Sequence, residues 1–253
     1  MPDQVVKAGT PNPDMTKKSM AQLGQLLDVL EKKPELQAKA LAVRTQMGSY
    51  AKLLERATTA CRECTIDLVL QVHVGGTGGP EHPALRPSQA QVRTLFEREH
   101  YDVIALEGAG YDPWTFENVL ADTAKAQGLK VEELRPLMIA DAPNQAWMSF
   151  ILEHPEQRMI GLEDDALLAL HGELLRQLGI YGRPTTNWTP AEVTLGSSRS
   201  EIGLAKLLIK LDQVGGKRGA IVLGNAHDQS LLQSAEWFGI NARMINTVPS
   251  WAR

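Results

Sequence analysis

Five side chains carry the chemistry that this sequence offers. His82 and His227 each close a Gly-x-x-His, Gly79-Pro-Glu-His82 and Gly224-Asn-Ala-His227. Glu107 ends the apolar run Asp102-Val-Ile-Ala-Leu-Glu, and Glu163 ends a second run, Arg158-Met-Ile-Gly-Leu-Glu. Imidazole is a borderline ligand and carboxylate a hard one, so two of each suit a divalent transition metal, with Mn, Co, Zn and Fe all compatible. The fifth is Arg199, in Ser198-Arg-Ser-Glu201, whose spacing is that of a capping box. That reading puts an arginine in the first turn of a helix, where it works against the helix dipole. A group placed against local preference points to function.

Competing chemistries fail on the residues. The glycine-rich stretch Gly75-Gly-Thr-Gly-Gly79 holds no Gly-x-Gly-x-x-Gly and no Gly-Lys-Ser/Thr ending, and Glu81-His82 behind it would not welcome a phosphate. There is no Gly-x-Ser-x-Gly elbow and no His-Glu-x-x-His helix. Cys61 and Cys64 form a single Cys-x-x-Cys with no second ligand pair, at the end of a helical stretch rather than at a helix start; neither zinc nor redox chemistry is favoured there. His171 lies among Leu167, Leu174 and Leu178 on an apolar helix face and reads as a core histidine.

The elements that must position these residues follow from periodicity. Ile66 to Val74 reads as a first strand, Asp102 to Glu107 as a second, Arg158 to Glu163 as a third and Gly219 to Gly224 as a buried strand near the C-terminus. Helices are expected from the Ser88-Gln-Ala-Gln91 capping box, through 114–120 and 134–152 as a lid or side wall, over the leucine-rich stretch from Asp165, and from Gln229 to a glycine stop at Gly239. Two strand–loop–helix–strand units result, each with a Gly-x-x-His in its loop. Connections of this length force parallel strands with right-handed crossovers. The expected fold is α/β, a mainly parallel central sheet flanked by helices, with the histidines and Glu107 at the carboxyl edge where ligands collect. His227 then opens a helix, whose dipole disfavours imidazolium and leaves a neutral ring nitrogen for a metal or a proton. Ahead of this domain, taken as 66–253, residues 1–15 read as a loose arm. Residues 16–61 read as a helical hairpin with seams Met20, Leu23, Leu27, Leu30 and Leu36, Ala40, Val43, Met47, Tyr50, Leu54, Ala57, Cys61. That hairpin is either a packing layer or a homodimerisation arm.

The whole chain sets outer bounds. Its 253 residues suffice for one full core, and its net charge of −4 with no long basic run argues against a nucleic-acid partner. No apolar stretch approaches the roughly 18 residues of a membrane span. Met-Pro-Asp-Gln-Val-Val does not resemble a signal peptide, which makes the cytoplasm the default compartment, although an exported chain with its leader removed would look the same.

Paired Gly-x-x-His motifs, Ile104-Ala-Leu-Glu-Gly108, Gly161-Leu-Glu163, Arg199 ahead of the last strands and Ile221-Val-Leu-Gly-Asn-Ala-His227 together resemble the Tiki superfamily over roughly residues 66–246. That group includes TraB/Tiki metallopeptidases, ChaN-like haem-uptake proteins and erythromycin-esterase-like hydrolases. The resemblance implies His82, Glu107 and His227 as metal or acid/base residues, Arg199 as substrate-anion or oxyanion partner, and Glu163 as a supporting carboxylate or ligand. It departs from the pattern in the glycines before Gly79, which leave His73 as an alternative first histidine. The expected activity is metal-assisted hydrolysis of a small-molecule or peptide substrate, with Glu107 taking the proton of a metal-bound water. A haem or iron binder using the same histidines, and a non-catalytic interaction protein on the same fold, are the alternatives.

Overall fold

A computed structural model describes residues 4–72, 82–108, 110–178, 189–224 and 227–252. His73 and the Gly79-Pro-Glu part of the first motif lie outside these residues, as do Asn225 and Ala226 of the second. The chain is α/β. Six strands, β1 (Val5–Val6), β2 (Thr65–Gln71), β3 (Val103–Leu106), β4 (Met159–Gly161), β5 (Arg218–Gly224) and β6 (Asn241–Asn246), form one sheet in the order β1-β6-β2-β5-β3-β4. All neighbours are parallel except β1, which runs antiparallel to β6. The helices among the described residues are α1 (Asp14–Leu30), α2 (Pro34–Ala57), α3 (Leu85–Glu99), α4 (Phe116–Gln127), α5 (Val131–Asp141), α6 (Ala146–Glu153), α7 (Asp165–Gln177), α8 (Pro190–Val214) and α9 (Asp228–Phe238). None is long and apolar enough to cross a membrane.

Strands β3 and β4 and the middles of β2 and β5 are mostly apolar because both faces are covered, as parallel sheets require; the buried exception is Asp67 of β2, paired with Arg243 of β6. Alternation sorts their side chains. Ile66, Leu68 and Leu70 of β2, Val103 and Ala105 of β3, and Ile221 and Leu223 of β5 pack with α1, α2, α7, α8 and α9. Val69, Ile104, Leu106, Ala220 and Val222 point the other way, into a second cluster with α3, α4 and α6. The first cluster is organised by α8, whose Leu204, Leu207, Leu208 and Leu211 are fully buried; each contributes about 1.5–3 kcal/mol through removal from water.

Several expectations are corrected. The arm is not loose: Val5 and Val6 extend the sheet, and the N–H groups of Gly9 and Asn12 donate to the carbonyls of Gly239 and Trp237. A two-residue strand has no periodicity to read. Gly239 ends α9 at φ 66°, and a Cβ there would meet the Gly9 carbonyl oxygen at 2.6 Å, so the helix stop and the docking of the arm both need glycine. Helices α1 and α2 pack on the main domain, the packing-layer arrangement of the two expected: Leu23, Leu27, Leu36, Val43 and Leu54 belong to the same core cluster as Ile66 and Leu207. Arg44 reaches back from α2 to Asp28 on α1 and to Glu31 directly after it. Cys61 and Cys64 are disulfide-bonded to one another, just beyond the end of α2.

Two helix starts also move. Ser88 is the fourth residue of α3, not its cap; its hydroxyl accepts the Val72 N–H and bonds Thr247, tying α3 to the ends of β2 and β6. Helix α8 starts eight residues before Ser198, behind a capping box in which Thr189 Oγ accepts the Glu192 N–H and Glu192 accepts the Thr189 N–H at 2.6 Å. Arg199 is therefore the tenth residue of a 25-residue helix and not in its first turn. Ser-x-x-Glu spacing is also simply i,i+3, so the pattern alone cannot separate a cap from a helix interior.

Helix α1 docks on α8 with the Ser19 hydroxyl donating to Glu201. Burial raises the Glu201 carboxyl to about 7, against the opposing effect of the Ser19 bond. The unfolded chain releases this proton in the ordinary carboxylate range and the folded chain only near 7. The folded state therefore loses stability as pH rises through that window. Glu201→Gln should gain on the wild type by up to about 2 kcal/mol between pH 5 and 8, after solvent screening is allowed for, in parallel urea titrations.

Candidate functional site

The sheet register assembles the site. Leu106 of β3 lies between Val222 of β5 and Gly161 of β4, so Glu107 leaves the sheet beside Gly224, with Glu163 two residues past the end of β4. Gln71 pairs with Gly224, so the chain also leaves β2 and β5 side by side. The carboxyl ends of four strands, β2, β5, β3 and β4, thus lie side by side, and α8 packs on β3 and β5.

Arg199 is the hub. Its Nε donates to Glu163 Oε2 at 3.0 Å and its Nη2 to Glu163 Oε1, a two-pronged pair with a carboxylate that is 3 % exposed. Nη2 also donates to Glu107 Oε1 at 3.3 Å, and Nη1 to His171 Nδ1 at 2.9 Å. An arginine can only donate, so His171 accepts at Nδ1 and carries its proton on Nε2. These bonds engage four of the five guanidinium N–H groups, which gives Arg199 a positioning role beside the oxyanion role expected for it. The second Glu107 oxygen accepts the Gly224 N–H at 2.6 Å.

His227 stands directly before α9 and is buried. Its Nδ1 is 2.8 Å from Ser200 Oγ, which in turn contacts Ser230 Oγ at 2.8 Å and donates to the Gly196 carbonyl. Ser200 thus fixes the ring, and Nε2 is directed toward Glu107 Oε1 at 3.8 Å. Glu107 is 17 % exposed against 3 % for Glu163, so it is the carboxylate that a ligand can meet.

The electrostatics follow the packing. Burial raises the Glu163 carboxyl, opposed by the hydrogen bond and charge of Arg199. Burial also works against the charge on Arg199, but the bonds and charges of Glu163 and Glu107 outweigh it and hold Arg199 protonated, above its ordinary value. His171 is pushed down to about 3, first by burial and then by the Arg199 charge, and stays neutral at physiological pH. Lys206, two turns on from Arg199 along the same face of α8, is lowered by burial and donates to the Glu163 carbonyl at 2.7 Å.

The expected metal set can be tested on these donors. Both Glu163 oxygens face Arg199, one Glu107 oxygen is taken by the Gly224 N–H, and His82 stands before α3 with its Nδ1 accepting the Ala84 N–H at 3.1 Å. His82, Glu107, Glu163 and His227 therefore do not converge as a ligand set among the described residues. One group there does bring three ligand atoms within 4.8 Å of one another: Glu97, Glu153 and His154, on the α3–α6 surface. Arg93 already occupies it, with Nη2 2.8 Å from an oxygen of each glutamate.

Glu107, Glu163, Arg199 and His227 are thus brought together, and His82 shares no contact with them among the described residues. Sequence reasoning missed His171 and Ser200. The signal for His171 was a polar residue on an otherwise apolar face of α7; for Ser200 it was adjacency to Arg199 on a helix turned toward the strand ends. Comparison with protein families, curated proteins and solved structures finds no match, so what the site does must be argued from its own geometry.

Proposed function

We propose that this chain is a hydrolase of ester or amide bonds in a small-molecule or peptide substrate, working by acid/base catalysis at Glu107 and His227. The observation that carries the reading is the pair itself. A partly exposed carboxylate, pinned by the Gly224 N–H and Arg199, lies with Oε1 3.8 Å from the Nε2 of a ring that Ser200 holds in place. One water can reach both groups. Glu107 takes the proton of that water as its oxygen attacks the acyl carbon and hands it to His227 Nε2, which delivers it to the departing oxygen or nitrogen as the bond to the acyl carbon breaks. The charge of Arg199, whose side chain is only 9 % exposed, offsets the negative charge that develops beside Glu107. Glu163 and His171 keep that guanidinium aligned. The resemblance to Tiki-superfamily hydrolases supports the same pair of residues. The acid/base pair can act without a metal, and among the described residues His82, Glu107, Glu163 and His227 do not converge as a ligand set.

His227→Ala removes the proton donor and leaves Glu107 in place. Its rate of p-nitrophenyl acetate hydrolysis should fall by about 10² relative to wild type at neutral pH. A variant that matches the wild type would remove His227 from the mechanism.

A further inference from the structure

A cavity of about 460 Å³ opens beside the site, between α2, α8 and the ends of β3 and β4. Four cations line it. Lys52 and Arg56 come from successive turns of α2, and Lys206 and Lys210 from successive turns of α8. Like charges at i,i+4 repel one another along a helix, so two such pairs facing one space work against the stability of both helices. Among the described residues Asp112 is the lining acid, and Lys210 already binds it at 2.7 and 2.9 Å. Lys52 and Arg56 have no ion-pair partner among the described residues. Lys206 is half-buried at the cavity wall, its ammonium anchored on the Glu163 carbonyl at 2.7 Å.

The backbone is shaped around this charge. A Cβ on Gly110 would meet the Glu163 carbonyl oxygen at 2.7 Å and come within 4.0 Å of Lys206 Nζ, so glycine lets the chain after β3 pass close while keeping the ammonium uncovered. Leu53, Ile160 and Ile209 supply apolar surface beside the cations.

We propose that this cavity is a binding site for a small organic molecule bearing a phosphate group, held by Lys52, Arg56, Lys206 and Lys210. The inference stands apart from the hydrolase reading. Four cations against one acid leave an excess of three positive charges, which a phosphate dianion neutralises better than a single carboxylate does. The volume lies within the range of small-molecule sites, about 300–1,000 Å³, so there is room for more than the phosphate itself. The apolar residues would contact the organic part.

Titration calorimetry of the full chain at low salt tests this with inorganic phosphate, phenyl phosphate and acetate. Wild type should bind one phosphate saturably, phenyl phosphate more tightly, and acetate at least tenfold more weakly than phosphate. High salt should weaken all three. Lys52→Gln/Arg56→Gln alters two exposed helix positions that make no tertiary hydrogen bond among the described residues, so the fold should survive. Its phosphate affinity should fall at least tenfold. Glu107→Gln, outside the cavity, should bind phosphate as wild type does or more tightly. Absence of saturable binding to wild type would overturn the proposal, as would an unchanged affinity in the double variant. So would phosphate binding that is kept in the double variant and tightened by Glu107→Gln, which would move the anion to the Arg199 cluster.

Discussion

Glu107→Gln should lower kcat/KM for any ester or amide the protein hydrolyses by about 10² or more, with little change in the midpoint of thermal unfolding. Glutamine has nearly the same shape, and its carbonyl oxygen can still accept the Gly224 N–H that the native carboxylate accepts at 2.6 Å. Arg199 keeps its paired bonds to Glu163. What disappears is the group that takes the proton from water. A large fall in turnover with an intact fold would thus separate a chemical role from a structural one, and an equal fall in stability and rate would mean that Glu107 serves mainly to hold Arg199.

Arg199→Met should destabilise the fold by about 3–5 kcal/mol in denaturant titrations, the range found when one partner of a buried ion pair is removed. The methionine fills much of the space but leaves the carboxylate of Glu163, 3 % exposed, without its two-pronged partner. Burial already raises the Glu163 carboxyl, and losing Arg199 removes the first of the effects that oppose the rise. A carboxyl raised in the folded state and ordinary in the unfolded state makes folding weaker as pH increases. The deficit of the variant should therefore grow from pH 5 to pH 8. Adding Glu163→Gln to Arg199→Met should recover much of the loss, because the unpaired charge is then gone. A loss below about 1 kcal/mol at pH 8, or no recovery in the double variant, would mean that Glu163 does not need Arg199.

Strand positions, the parallel sheet and the convergence of Glu107 and Glu163 at one edge were legible because buried strands are short apolar runs and alternate strictly between two cores. The ends of elements were less so. Ser88 and Ser198 both satisfied a cap pattern while lying inside helices, since capping spacing and helix-interior spacing coincide. The β1 pairing of Val5 and Val6 depends on β6, some 235 residues away in sequence, and nothing local announces it. Within the site, the types Glu, Arg and His could be picked from the sequence, but their pairing could not. Arg199 was expected to meet substrate; that it also bonds Glu163, Glu107 and His171 from mid-helix was not legible. His171 read as core from its leucine neighbours, and it is buried, but the neighbour that decides its role comes from α8.

The central claim is that Glu107 and His227 carry out hydrolysis as an acid/base pair. The most direct measurement is the rate of p-nitrophenyl acetate hydrolysis by chelator-dialysed wild type beside equally treated Glu107→Gln, with the buffer rate subtracted. The account predicts activity that survives removal of metal and falls by about 10² or more in the variant. Equal rates in the two proteins, or a wild-type rate that vanishes on dialysis and returns with added metal, would contradict it.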